Sequence, residues 1–169
     1  FEVRFTPPRA GTFIYHSHFE EERQLASGMY GPLIVLEPGA TYDPEADRSW
    51  VLSQSGPAQG VRVMLNGSIT PVIELEATRR YRVRLININP SVPLTLSLLA
   101  DSVPVTWRAI AKDGADLPKT QAHTQPAVLT IGVGETYDFE FSPVLPRDLL
   151  LRAVDPGGLV RLSALVRVT

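Results

Sequence analysis

The sequence predicts an all-β protein, a sandwich or barrel, on three observations. Short apolar runs alternate with polar residues, as in Tyr81-Arg82-Val83-Arg84-Leu85-Ile86-Asn87 and Tyr137-Asp138-Phe139-Glu140-Phe141, the pattern of half-buried antiparallel strands. Turn signals separate the runs at Asn66-Gly67, Asn89-Pro90, Asp113-Gly114, Gly132-Val133-Gly134 and Asp155-Pro156-Gly157-Gly158, in a chain of 169 residues with 15 Pro and 12 Gly. Helical periodicity is nowhere sustained.

The first forty residues offer three strands: Phe1 to Thr6, with Phe1, Val3 and Phe5 on one face, then Thr12 to His18, then Gly31 to Glu37 with the apolar run Leu33-Ile34-Val35-Leu36. Pro7-Pro8-Arg9-Ala10-Gly11 turns the chain between the first two. The Glu-rich stretch Phe19 to Gly28 reads as a short helical turn ended by Gly28. Three strands do not close a β domain, so residues 1–40 read as part of one, with unpaired edges. Residues 41–48, within a polar stretch punctuated by Pro and Gly, read as a linker.

Residues 49–169 then carry enough strands for a complete second unit. The runs are Trp50 to Gln54, Val61 to Leu65, Val72 to Glu76, Tyr81 to Ile88, Leu94 to Leu99, Val105 to Ile110, Ala127 to Ile131, Thr136 to Phe141, Leu149 to Val154 and Val160 to Val168.

Composition narrows the chemistry. Net charge is −2, and no basic block supplies the electrostatic footprint of a nucleic-acid partner. No apolar run approaches the roughly 20 residues that span a bilayer. The chain opens without Met inside an expected strand and so reads as a segment of a longer polypeptide. It has no cysteine, which excludes disulfides, thiolate catalysis and a blue-copper site built from this chain alone.

Two of the three histidines, His16 and His18, fall one residue apart on the second expected strand. Residues i and i+2 of a strand share a face, so both imidazoles project together. That spacing serves zinc, copper, or a hydrogen-bonded pair in a core wall. Two imidazoles fill only part of a coordination sphere, so further ligands must come from elsewhere. His123, in a polar loop without a ligand neighbour at metal spacing, reads as a solvated loop histidine. Glu20-Glu21-Glu22 reads as a solvated face, Arg23 and Gln24 as candidates to brace the histidines, and Met29 and Tyr30 as packing residues. The second unit shows no catalytic triad order, phosphate loop or close carboxylate pair, and its Asp113-Gly114 and Asp116 read as turn residues.

The string Gly11-Thr12-Phe13-Ile14-Tyr15-His16-Ser17-His18, followed by Gln24-Leu25-Ala26-Ser27-Gly28-Met29-Tyr30-Gly31-Pro32-Leu33-Ile34-Val35, resembles the multicopper oxidase family, the laccase-like oxidases built of cupredoxin domains. The second unit is similar to the family's copper-free middle domain through Leu65-Asn66-Gly67, Tyr81 to Asn87, Lys112-Asp113-Gly114 and Gly132 to Phe139.

The resemblance implies a cupredoxin-like Greek-key β-sandwich or barrel, with one partial and one complete unit. It implies that His16 and His18 ligate the type 3 copper pair of a trinuclear cluster, one histidine to each copper. There O2 is reduced to water with electrons from a reducing substrate, delivered through a type 1 copper. The upstream HxH motif and the His-Cys-His motif of the type 1 site are absent. The remaining cupredoxin domains of a parent chain must therefore complete the site, and a periplasmic or extracellular location follows from the family alone. A different class remains open: a non-catalytic β-sandwich that binds a metal or a partner. A zinc hydrolase fragment with both histidines on one zinc is a third.

Overall fold

Fifteen strands and one helical turn make up the computed structural model, which describes residues 2–56 and 61–169. In chain order they are β1 (Gly11–His16), α1 (Glu21–Ala26), β2 (Tyr30–Val35), β3 (Asp47–Gln54), β4 (Val63–Leu65), β5 (Val72–Leu75), β6 (Tyr81–Asn87) and β7 (Leu94–Ala100). There follow β8 (Val103–Pro104), β9 (Thr106–Lys112), β10 (Ala115–Asp116), β11 (Thr124–Pro126), β12 (Val128–Ile131), β13 (Thr136–Phe141), β14 (Arg147–Val154) and β15 (Val160–Val168).

All ten strands expected after residue 48 form, within a few residues of their expected ends. One expected strand does not: residues 2–7 are irregular, Val3 and Phe5 stand exposed, and Phe1 lies outside the described residues. Alternation marks which face of a strand would be buried, but a strand also needs a neighbour's backbone to bond, and this segment pairs with none of the described residues.

The strands form two facing sheets and a separate hairpin. One sheet runs β10-β9-β13-β6-β3-β4, with β11 also on β9, and the other runs β12-β7-β14-β15-β5, with β8 also on β7. Most pairs are antiparallel, but β3 lies parallel to β6 and β5 parallel to β15. Between the sheets lies one apolar core that includes Trp50, Leu52, Tyr81, Leu85, Leu96, Trp107, Phe139, Leu151 and Val166. Trp107 stacks on Phe139 at 4.0 Å between ring centroids, adding to what burial of two large rings already contributes.

The hairpin β1–β2 pairs Gly11 with Val35 through His16 with Tyr30. It docks on the outward face of the β6–β13 sheet, where a second small core joins Leu25, Val51, Ile86 and Ile88, with Ile14 and Tyr30 against it. Two glycines allow close approach at the seam. A Cβ on Gly11 would come within 2.5 Å of the Gly114 carbonyl oxygen, and one on Gly114 within 2.3 Å of the Phe13 ring. Asp113-Gly114 thus forms a turn, at φ 48 and +70, and is also a seat for the hairpin. Arg9 reaches the same turn, donating to the carbonyls of Gly114 at 2.6 Å and Asp113 at 3.1 Å.

Beneath the hairpin the alternation of β6 takes on a second meaning. Tyr81, Val83 and Leu85 face the core, so Arg82 and Arg84 face outward with Asp138 of β13 beside them. The hairpin covers them: Arg84 is 2% exposed, Asp138 1% and Thr12 1%. Every charge is paired. Arg84 forks onto Asp47 at 2.5 and 2.6 Å and reaches Asp138 at 3.1 Å, while Arg82 donates to Asp138 at 2.9 and 2.5 Å. Thr12 Oγ1 accepts from Arg84 at 2.6 Å and donates to Asp138 at 2.7 Å. Burial opposes the Arg84 charge, but its hydrogen bond to Asp47 and the field of Asp138 outweigh that and hold the guanidinium above its ordinary pKa.

Removing one member of such a network leaves an uncompensated buried charge, which costs about 3–5 kcal/mol. Arg84→Ala is therefore expected to lower the unfolding free energy from urea titration by that much, and a value within error of wild type would show that the network contributes nothing to stability. A second expectation concerns acid. Hydrogen bonds from Lys112 (2.7 Å) and the Gly132 N–H (2.7 Å) hold the Glu135 carboxyl below its usual range. A depressed folded-state pKa contributes stability above the unfolded value of about 4.3, lost as pH falls through the folded value. Glu135→Gln should flatten the acid limb of the pH–stability curve below about pH 4.5, leaving the neutral region changed only by a constant offset.

Candidate metal centre

Residue 16 is the last of β1, not an interior position of a strand reaching residue 18. The backbone leaves the ladder just beyond the His16–Tyr30 pair, after one further bond from the Ser17 N–H to the Met29 carbonyl at 3.1 Å. The two imidazoles nevertheless lie together, with ring centroids 4.5 Å apart and planes at 37°.

What holds the turn is local. Ser17, between the histidines, is hydrogen-bonded through its hydroxyl to the side-chain carbonyl of Gln24 on α1. The single helical turn begins after Glu20 at φ 47 and carries Glu21 and Glu22 in its first turn, where carboxylates suit the helix dipole. Gly28, at φ +86, lets the chain enter β2. Gln24 thus braces the histidine segment, whereas Arg23 pairs with Glu20 at 2.5 Å. At Gly31, opposite Tyr15 across the hairpin, a Cβ would come within 2.5 Å of the Tyr15 hydroxyl oxygen.

Both rings have one nitrogen engaged. His16 Nδ1 lies 3.1 Å from the Ser17 carbonyl oxygen, and His18 Nδ1 lies 2.9 Å from a Glu21 carboxylate oxygen. A carbonyl only accepts, so Nδ1 of His16 carries the proton in that contact, and Nε2 is the nitrogen left open to a metal. The same logic applies to His18 against the carboxylate. Neither Nε2 has a hydrogen-bond partner among the described residues. Such an arrangement fits a transition metal: imidazole Nε2 donors whose other nitrogen is tied to an oxygen acceptor are the usual form of metal-binding histidine.

One ligand atom each from His16, His18 and Glu21 lie within 4.8 Å of one another, the one such group among the described residues. Glu21, read in the sequence as part of a solvated run, is thus at the site. The i,i+3 spacing from His18 was visible, but it becomes a contact only because the chain turns into α1 at Glu20. Glu21 is 45% exposed and His18 80%. The site is a surface in this chain and needs covering elsewhere to become a closed coordination sphere. His123 stands exposed in the loop leading to β11 and outside this group. Met29 is 52% exposed and offers its carbonyl, while Tyr30 packs against the small core under the hairpin.

The two facing sheets and the docked hairpin define a cupredoxin-like β-sandwich. Residues 1–40 match the family model described as multicopper oxidase. Laccase-2 of Fomitopsis schrenkii is 37% identical over 112 residues, covering 52% of this chain and 21% of its own length. The chain thus spans about a fifth of the curated relatives it matches. Among solved structures, a blue copper oxidase from Nitrosomonas europaea superposes with a TM-score of 0.74 at 20% identity, over 97% of this chain and 57% of that one. A copper nitrite reductase from the same organism superposes at 0.75 and 17% identity, over 98% and 64%. At those identities the superpositions show the fold alone. The family match over residues 1–40 and the laccase relatives together support a partial likeness of this chain to the multicopper oxidase family.

Proposed function

We propose that this chain is a segment of a laccase-like multicopper oxidase that couples one-electron oxidation of a reducing substrate to reduction of O2 to water. In this reading His16 and His18 each bind one copper of a type 3 pair in a trinuclear cluster. The observation that carries it is the pair of imidazoles 4.5 Å apart, each with Nδ1 tied to an oxygen and Nε2 free, inside the segment that matches the family.

Copper, when bound, supplies the one-electron redox chemistry. The chain's own residues orient the donors: Ser17 and Gln24 fix the turn, the Ser17 carbonyl and Glu21 set which imidazole nitrogen is free, and β1 carries His16 while the turn that leaves it carries His18. With two protein donors and no cysteine, the segment lacks a type 1 site and leaves each copper short of ligands. The remaining cupredoxin domains of the parent supply both, and the location is periplasmic or extracellular. Among the described residues no helix is long and apolar enough to cross a membrane.

Glu21 favours a second reading, in which His16, His18 and Glu21 hold a single ion in a module without oxidase activity. The two separate on the full-length protein. The oxidase reading expects several coppers per chain, a blue absorption, and flanking sequence with a second HxH and a His-Cys-His string. His16→Ala or His18→Ala should abolish oxygen consumption while leaving the blue absorption. Full oxygen consumption by either variant, or a colourless protein with one ion per chain, would rule the oxidase reading out.

A further inference from the structure

We propose that Thr12, Asp138 and Arg84 are positioning residues for the histidine pair: the copper-free sandwich fixes where His16 and His18 stand by gripping their strand at the Thr12 hydroxyl. The inference rests on the reading of both histidines as metal ligands.

Thr12 and His16 are four residues apart on β1, hence on one face and about 13 Å apart at the rise of an extended strand. Among the described residues no hydrogen bond, ion pair or ring contact joins a side chain of the sandwich to either imidazole; their ring contacts are with each other, the Ser17 carbonyl and Glu21. The sandwich acts on the rings through α1, whose Leu25 lies in the small core, and along the strand. Besides the close packing of Gly11 and Phe13 on Gly114, it has two holds on β1. One is apolar, Ile14 resting against the cluster of Leu25, Val51, Ile86 and Ile88. Apolar contact is non-directional, so it resists separation more than sliding. The other is polar and directional: Thr12 Oγ1 sits between Arg84 at 2.6 Å and Asp138 at 2.7 Å, and the Thr12 carbonyl accepts from Thr136 Oγ1 at 3.1 Å. A one-residue slip of β1 would replace the hydroxyl with Gly11 or Phe13 and remove its hydrogen bonds to Arg84 and Asp138.

Two arginines and two aspartates close this network without net charge. The hydroxyl therefore adds little by way of neutralisation. Its particular contribution is direction, which an isosteric methyl cannot supply.

The test compares Thr12→Val, which keeps shape and removes the hydroxyl, with Thr12→Ser, which restores it, in the full-length copper-loaded protein. The readouts are copper retained against a graded series of chelator concentrations, the ultraviolet–visible absorption spectrum of the bound copper, and near-ultraviolet circular dichroism from the buried Trp50 and Trp107. Outer-shell changes typically cost 10- to 100-fold in metal affinity. Thr12→Val is therefore expected to release copper at about tenfold lower chelator with an altered spectrum and an intact dichroism signal, while Thr12→Ser behaves as wild type. Wild-type retention and spectrum in Thr12→Val would overturn the proposal, even if that variant melts earlier. So would equal losses in the Val and Ser variants. Should Thr12→Val not fold, Thr12→Ala, which also removes the hydroxyl, takes its place with the same expected loss. A His16→Ala/His18→Ala double variant that holds copper as wild type does would instead overturn the ligand reading underneath.

Discussion

The salt bridge between Arg84 and Asp138, closed over by the Thr12 hydroxyl, is the interaction on which the relation of hairpin to sandwich depends. A β-sandwich has two outer faces, and residues such as Arg82, Arg84 and Asp138 on such a face normally meet water. Here a hairpin lies over them, so their charges must be answered by the protein. The answer is complete at Arg84 and Asp138 and uses residues from both sides of the seam: Asp47 from β3, Asp138 from β13, Thr12 from β1. A purely apolar strand laid on that face would bury the same area and satisfy fewer of its polar atoms. The outer face of the sheet therefore selects what can cover it and in which register.

That seam also gathers residues scattered along the chain. Thr12 and Asp138 are separated by 126 positions, and Arg9 and Gly114 by 105. The strings through which the two units resemble the oxidase family, Gly11-Thr12-Phe13 in one and Lys112-Asp113-Gly114 and Tyr137-Asp138-Phe139 in the other, meet there: Gly11 against Gly114, Thr12 against Asp138. In sequence the second set reads as turns and ordinary strand alternation. In the fold each string also serves as contact surface for the histidine strand.

The fold was legible where local patterning decides it. Tyr81 to Asn87 and Thr136 to Phe141 alternate, lie between turn signals, and form central strands. Where partner availability decides, patterning misleads: residues 2–7 alternate without pairing, and the short strands β8, β10 and β11 carry too few residues to show a period. At the site, the closeness of His16 and His18 was legible from their spacing, although the turn after β1, not period-2 strand geometry, brings the rings together. Glu21 was not, because its approach depends on the left-handed Glu20 that turns the chain back. Arg84 was the least legible of all. Alternation correctly places it on the outward face of β6, and nothing in the sequence says that another part of the chain covers that face.

The structural neighbours sharpen what each part contributes. The same sandwich superposes equally well on a copper oxidase and on a copper nitrite reductase, so its backbone architecture does not distinguish these chemistries. The candidate ligands occupy a short stretch at the end of β1 and the start of α1, too small to hold its own geometry: α1 is six residues long, and a two-stranded hairpin is marginal in water. Its rigidity must be borrowed. The sandwich buries an extensive core and can lend it, but only through a contact stiff enough to transmit position, and the seam's charged hydrogen bonds are shorter and more directional than any apolar contact beside them. On the proposed reading of His16 and His18 as metal ligands, the sandwich takes part in the metal chemistry through where it holds a strand.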